Sequence, residues 1–348
     1  MNPHSDQLPS VTLVLPVRNE ASFIEENLRL LLQQDYPADL LEIIVADGMS
    51  DDGTAEIVNR MAAESDRVRL IENPQRIVPT GLNEAIRQAR GEIIIRVDGH
   101  VVVAEDFVKE SVQALQDHPD AWAVGGPIVP DAHTSCGKAI AIAMSHPAGV
   151  GNASHRRPGF EGYGEGTAFP AMYDWVFEKV GFYDESLVRN QDDEFYYRIN
   201  VAGGRFYITP KIKHLYFVRE KLSQLYRQYY QYSFWRIPVM LKHRQPTTLR
   251  QIIPSLFYIA MVVGLIVGIA TKSWLIAFAL PGVYAATLLA IGISKIPSKG
   301  FAVAMQLPLA IATMHAGYAW GMIHGWFCHF TGKNAWSVAN RRMTQLSR

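Results

Sequence analysis

Past Glu220 this chain has no Asp and no Glu. All 33 acidic residues lie in residues 1–220 against 20 Lys and Arg, a net of −13, and residues 221–348 carry the other 13 Lys and Arg, a net of +13. The formal charge of zero therefore conceals two halves of opposite sign, an asymmetry that points to a nucleic-acid or membrane partner. Cysteine is scarce as well: Cys136 and Cys328 alone exclude a disulfide framework and a Cys-based zinc site. No G-x-G-x-x-G follows the first apolar strand and no P-loop lysine motif occurs, which disfavours the usual dinucleotide and ATP sites. The opening MNPHSDQLPS holds no apolar signal segment, so residues 1–220 are expected to remain in the cytoplasm.

What is abundant is apolar length. Residues 251–271 and 273–294 are charge-free runs separated by Lys272. At ~1.5 Å per helical residue each is long enough to cross a hydrocarbon core of ~30 Å. A buried helical hairpin is the alternative reading. A third charge-free stretch, 300–332, holds Gln306, Pro308, His315, His324 and His329. As one straight helix it would span about 50 Å, so a break or an interfacial portion is expected. A third crossing would also carry Lys333, Arg341, Arg342 and Arg348 outside, against the positive-inside tendency, which favours a re-entrant or interfacial segment. Residues 221–250, acid-free and basic with interleaved Tyr, Phe and Trp, suit an interfacial helix next to the first run better than a nucleic-acid surface.

The first 220 residues alternate between two periodicities. VTLVLPV (11–17), LEIIVAD (41–47), VRLIEN (68–73) and EIIIRVD (92–98) read as strands. Between them lie helices, one with Phe23, Ile24, Leu28, Leu31 and Leu32 on one face, others near 54–64 and 80–89. This alternation predicts an α/β domain with a mostly parallel, doubly wound sheet. Ligands bind such sheets beyond the carboxyl ends of the strands. Glu20, Asp47 and Asp98 all lie there, although loop starts are polar in any case. Asp98 and His100, one Gly apart, fit either a turn or two ligands of one metal ion.

The ordered motifs LPVRNE (15–20), VADGMSDDGT (45–54), RVDGH (96–100) and NQDDEFYYR (190–198) resemble those of family 2 glycosyltransferases with the GT-A fold, a Rossmann-like nucleotide-sugar-binding domain. The resemblance covers about residues 11–240. EGTAFPA, VGFYDESLVRNQDDEFYYR and QYYQYSFWR make the chain similar to the membrane-associated glucosyltransferases of bacterial exopolysaccharide assembly, the succinoglycan type.

The resemblance implies roles. Pro16, Arg18 and Glu20 would form a nucleotide-contacting loop, and Asp47, an acceptor-only carboxylate, would read a base N–H of a uridine-type nucleotide. Asp98 would face the nucleotide sugar and, with His100 in place of the family's second Asp, hold Mn²⁺ or Mg²⁺ at the leaving diphosphate. Asp98, His100 and the later His214 are similar in order to the metal ligands of polypeptide N-acetylgalactosaminyltransferases; His214 is equally a structural histidine. Asp192 takes the position of the base that accepts the acceptor hydroxyl's proton, beside Gln191 where the family has Glu. Gly166, Thr167, Glu194 and Arg198 fall on the acceptor side. Trp235 and Arg236 sit where processive synthases carry Gln-x-x-Arg-Trp, and would line the acceptor channel.

The expectation is an inverting hexosyltransferase moving glucose from UDP-glucose to a polyprenyl-diphosphate-linked saccharide. It would be a multi-pass protein of the bacterial inner membrane with its catalytic domain in the cytoplasm, contacting membrane lipid and no nucleic acid. Domains are expected at 1–220 (catalytic), 221–250 (interfacial), 251–332 (membrane) and 333–348 (basic tail). A processive polysaccharide synthase and a non-catalytic scaffold are the alternatives.

Overall fold

VTLVLPV forms strand β1 (Val11–Val17) and LEIIVAD forms β2 (Leu41–Asp47), paired in parallel from Val11↔Leu41 to Val17↔Asp47. Helix α1 (Ile24–Leu32) connects them, and α2 (Thr54–Glu64) leads to β3 (Val68–Glu72). Next come α3 (Val78–Gln88), β4 (Ile93–Arg96), β5 (Val102–Val103), α4 (Phe107–Asp117) and β6 (Ala123–Gly126). The computed structural model describes residues 7–99, 101–244 and 251–331. The described residues divide into two units, one of 7–129 and 153–216, the other of 130–152 and 217–331. Segment 130–152, which the sequence reading placed in the catalytic domain, thus groups with the C-terminal helices. It holds β7 (Pro130–Asp131), α5 (Ser135–Ala143) and α6 (Pro147–Val150).

In the first unit the chain continues through β8 (Gly162–Gly164), β9 (Ala168–Tyr173), α7 (Trp175–Val180), α8 (Gln191–Val201), β10 (Phe206–Ile208) and β11 (His214–Phe217). The main sheet has eight strands in the order β3-β2-β1-β4-β9-β6-β10-β8. The left half is parallel as expected, but β9 runs antiparallel between β4 and β6, so the sheet is mixed rather than mostly parallel. AFPAMY is buried almost throughout and carries no alternation that would have marked it as a strand. Strand parity divides the core into two layers. Leu13, Leu15, Ile43, Ile93 and Ile95 face α1, α2 and α4, while Val14, Ile44, Ile94 and Met172 face α3, α7 and α8. Phe23, expected on the apolar face of α1, precedes the helix and is 45% exposed.

The second unit holds α9 (Leu222–Phe234), α10 (Arg236–His243), α11 (Ile253–Ala270), α12 (Trp274–Ser294), α13 (Ile296–Lys299) and α14 (Phe301–Phe330). Among the described residues, α11 and α12 are long and apolar enough to cross a membrane, with mean hydropathies of 2.3 and 2.0. Their apolar side chains face outward, Val262, Ile266, Leu275 and Val283 among them. Of the break or interfacial portion expected in the third stretch, the break is absent: α14 runs unbroken for 30 residues through Pro308. Pro308 packs against Gly292 of α12, where a Cβ would come within 2.8 Å of the ring.

Candidate active site

The carboxyl ends of β1 and β2 are lashed together before any ligand is considered. The Glu20 amide donates to Thr54 Oγ1 at 2.8 Å, the Asn19 amide to Ser50 Oγ at 2.9 Å, and the Ala21 amide to Asp52 at 3.0 Å. Gly48 packs closely here: a Cβ would lie 3.2 Å from Arg18 Cβ and 3.3 Å from the Val17 carbonyl. Pro16 pairs across the ladder with Ala46. Asp47 ends β2 almost fully buried, and its carboxylate accepts from the Ser50 amide (3.0 Å) and hydroxyl (2.5 Å). Each carboxylate oxygen has a second lone pair, so the group retains capacity for a further donor. Pro16, Arg18, Glu20 and Asp47 therefore cluster at the carboxyl ends of two adjoining strands.

The centre of the site is Arg96, which opens the motif RVDGH but has no role assigned to it by the sequence. Arg96 ends β4 with the parity of Ile94, so it points to the face covered by α8. Its Nε and Nη2 donate to Asp98 Oδ1 at 3.1 and 3.0 Å, and its Nη1 donates to Asp192 Oδ1. One guanidinium, 11% exposed, thus joins carboxylates 94 positions apart in the chain. The signal was present: an Arg closing the run Ile93-Ile94-Ile95 of a strand buried on both faces. Asp192 stands in the first turn of α8 with Asp193 and Glu194, where the helix dipole favours negative charge. Loss of hydration pushes the Asp192 pKa above the usual carboxylate range, Arg96 pulls it back, and Asp98 and Asp193 add to the rise.

Neighbouring packing sets this geometry. Asn83 on α3 bonds both backbone groups of Tyr183 at 2.9 Å. Phe195 is fully buried between Phe177 and Tyr183, fixing the roll of α8. Tyr196 donates to the Thr167 carbonyl at 3.0 Å, and its ring lies over Gly166, where a Cβ would come within 2.5 Å. Thr167, nearly fully buried, donates to the Gly126 carbonyl at 3.2 Å. Gly166 and Thr167 therefore lie at the edge of the sheet where β6 ends and β9 begins.

Glu194 and Arg198, expected on the acceptor side, are bonded to one another in the structure. Glu194 is fully buried, and Arg198 holds its carboxylate through Nε (3.0 Å to Oε2) and Nη2 (2.9 Å). The same guanidinium donates to the carbonyls of Val180, Gly181 and Phe182, capping the end of α7. Both side chains are consumed in fastening α8 to α7. Trp235 and Arg236 lie in the second unit, buried where α9 gives way to α10.

His214 opens β11, pairs in register with Val103, and sits edge-on to Phe169 at 4.7 Å. Burial draws its pKa down to about 4, against an opposing pull from the Ile212 carbonyl, so the ring is neutral at pH 7. Neither ring nitrogen has a hydrogen-bond partner of good geometry among the described residues. A neutral imidazole with orphaned nitrogens suits metal ligation. His100 lies outside the described residues, and among those described no three His, Cys, Asp or Glu gather closely enough to hold an ion.

Residues 12–139 match the family described as Glycosyl transferase family 2. The succinoglycan biosynthesis protein ExoA of Rhizobium meliloti is 36% identical over 259 residues, which is 72% of this chain and 76% of that one. A dolichyl N-acetyl-alpha-D-glucosaminyl phosphate 3-beta-D-2,3-diacetamido-2,3-dideoxy-beta-D-glucuronosyltransferase of Methanococcus voltae is 25% identical, covering 64% of this chain and 71% of its own. The fold matches the mannosyltransferase PcManGT of Pyrobaculum calidifontis, solved with GDP-Man and Mn²⁺. That match has a TM-score of 0.58 at 22% identity, over 92% of this chain and 89% of that one.

Proposed function

The chain belongs to the family 2 glycosyltransferases, and from that premise we propose that it transfers a hexose, with inversion, from a UDP-sugar to a polyprenyl-diphosphate-linked saccharide in exopolysaccharide assembly. The observation that carries the reading is Asp192, a carboxylate at the first turn of α8 joined through Arg96 to Asp98 at the carboxyl edge of the sheet. Single displacement needs a base on the acceptor side and a cation to compensate charge on the donor side; Asp192 would be the base, and Asp98 would help hold the cation.

In this reading the loops at 16–20 and 47–54 hold the nucleotide, with Asp47 offering its free lone pairs to a base N–H. Asp192 accepts the proton of the incoming hydroxyl as it attacks the anomeric carbon on the face opposite the diphosphate, so an α-linked donor gives a β-linked product. The orphaned imidazole of His214 makes the donor set compatible with a divalent cation. Asp98 and His214, together with His100, would hold that ion, which neutralises charge growing on the leaving diphosphate. Gly166 and Thr167 border the acceptor side. The similarity to an exopolysaccharide biosynthesis protein supports that class of product, and two helices able to cross a membrane suit an acceptor that is itself a lipid. The acid-free segment with its net +13 would draw both anionic head groups and the acceptor's diphosphate to the inner membrane's cytoplasmic face.

The test is release of UDP from UDP-glucose by the full chain in detergent, with membrane lipid extract as acceptor. Turnover that stops in EDTA and returns with Mn²⁺ or Mg²⁺, yielding a β linkage by NMR, supports the reading. A retained α linkage excludes single displacement. Absence of UDP release with every nucleotide sugar tried favours a scaffold, and long products from one acceptor favour a processive synthase.

A further inference from the structure

Arg96 opens the motif RVDGH, yet neither the resemblance nor the proposed chemistry gives it a role. Strand β4 is otherwise Ile93, Ile94 and Ile95, all buried, and a fourth apolar residue would complete it. A buried ion pair adds little net stability over a well-packed apolar side chain, because desolvation offsets the attraction. The Arg therefore needs a reason beyond holding the fold together.

Its geometry supplies one. We propose that Arg96 is a positioning residue whose single guanidinium fixes the separation of Asp192 and Asp98. This rests on reading Asp192 as the base and Asp98 as a donor-side group. The planar guanidinium presents separate N–H vectors: Nε and Nη2 converge on Asp98 Oδ1, and Nη1 turns to Asp192 Oδ1. An ammonium, a point charge without that fork, cannot define both directions together. Asp98 belongs to the sheet edge and Asp192 to α8, so the link transfers the register of the rigid sheet to the helix that carries the base. Without Arg96 two acids would face one another across the site and repel. A shift of ~1 Å between reacting groups can cost ~10²-fold in rate.

The experiment is a double-mutant cycle on the full chain, using Arg96→Met, Arg96→Lys, Asp192→Asn and Arg96→Met/Asp192→Asn, with UDP-glucose as donor. Arg96→Met should lower kcat ~10²-fold while the donor KM changes less than ~3-fold. Arg96→Lys should recover part of kcat, since an ammonium can hold one carboxylate but not both. In the Asp192→Asn background, Arg96→Met should add less than ~3-fold, because its effect passes through the missing base. Full additivity, or a KM that rises with kcat unchanged, overturns the proposal. Thermal unfolding of the same four proteins reads the link without any assay. Sub-additive midpoint shifts for Arg96→Met and Asp192→Asn support it, and additive shifts overturn it even if the wild-type chain releases no UDP. If Arg96→Met does not fold, Arg96→Lys against Asp192→Asn provides the cycle.

Discussion

At the scale of single residues, three neighbouring acids at the start of α8 have separate fates. Asp192 points to Arg96 and the site, while Glu194 is buried and held by Arg198. Asp192→Asn keeps the shape but removes the charge and basicity, so kcat should fall by roughly 10²–10⁴ with donor binding intact. Steady-state kinetics beside calorimetric binding of UDP-glucose checks this; normal turnover would remove Asp192 from the role. Glu194→Gln should do the opposite. Leaving Arg198 without its counter-charge should cost about 3 kcal/mol of stability, read as a lower unfolding midpoint, with activity per folded molecule largely kept. His214 is decided by metal affinity. If its orphaned nitrogens ligate an ion, His214→Ala weakens Mn²⁺ binding measured by isothermal titration by at least tenfold, whereas a packing histidine leaves that affinity unchanged.

At the scale of elements, α9 and α14 meet through glycines at every fourth position. A Cβ on Gly317 would lie 2.6 Å from the Tyr226 carbonyl, one on Gly321 would lie 2.2 Å from the Tyr230 carbonyl, and one on Gly325 would lie 3.2 Å from the Phe234 carbonyl. Small residues at i, i+4 and i+8 let two helix backbones approach, as they do between helices in membranes. The basic-aromatic segment read from sequence as interfacial therefore has one face committed to α14. Gly321→Leu must push the helices apart. It should destabilise the chain in detergent by about 1–3 kcal/mol, measured as a lower midpoint of thermal aggregation. An unchanged midpoint would show that α9 does not depend on that approach.

At the scale of the whole molecule, two outward-facing apolar helices and the segregation of charge lead to one expectation. The chain should leave membranes with detergent and stay with them in high salt, because apolar burial is not screened while attraction to anionic lipid is. Sedimentation of washed membranes followed by immunoblotting measures this, and release by salt alone would mean the chain only lies on the surface. A reporter fused after Arg348 reads the course of α14: a cytoplasmic signal excludes a single crossing by that helix, and a periplasmic signal establishes one.

The sequence by itself determined the pieces that depend on local pattern. Val11–Val17, Leu41–Asp47 and Thr54–Glu64 were legible because a strand buried on both faces is a continuous apolar run, and because Thr54 follows the turn residues of GMSDDGT. The two apolar helices were legible from length and hydropathy, and the family from motif order. Only the tertiary structure decided how those pieces combine. The antiparallel entry of β9 between β4 and β6 depends on pairings between distant segments, for which AFPAMY has no periodic sign. Glu194 and Asp192 share a helical turn; the surfaces that α7 and β4 present to them pair one with Arg198 and the other with Arg96. Arg96 took its meaning last. A charge at the end of an apolar strand is ambiguous until the fold brings Asp192 to within reach of its guanidinium, and that is a property of the sheet and α8 together.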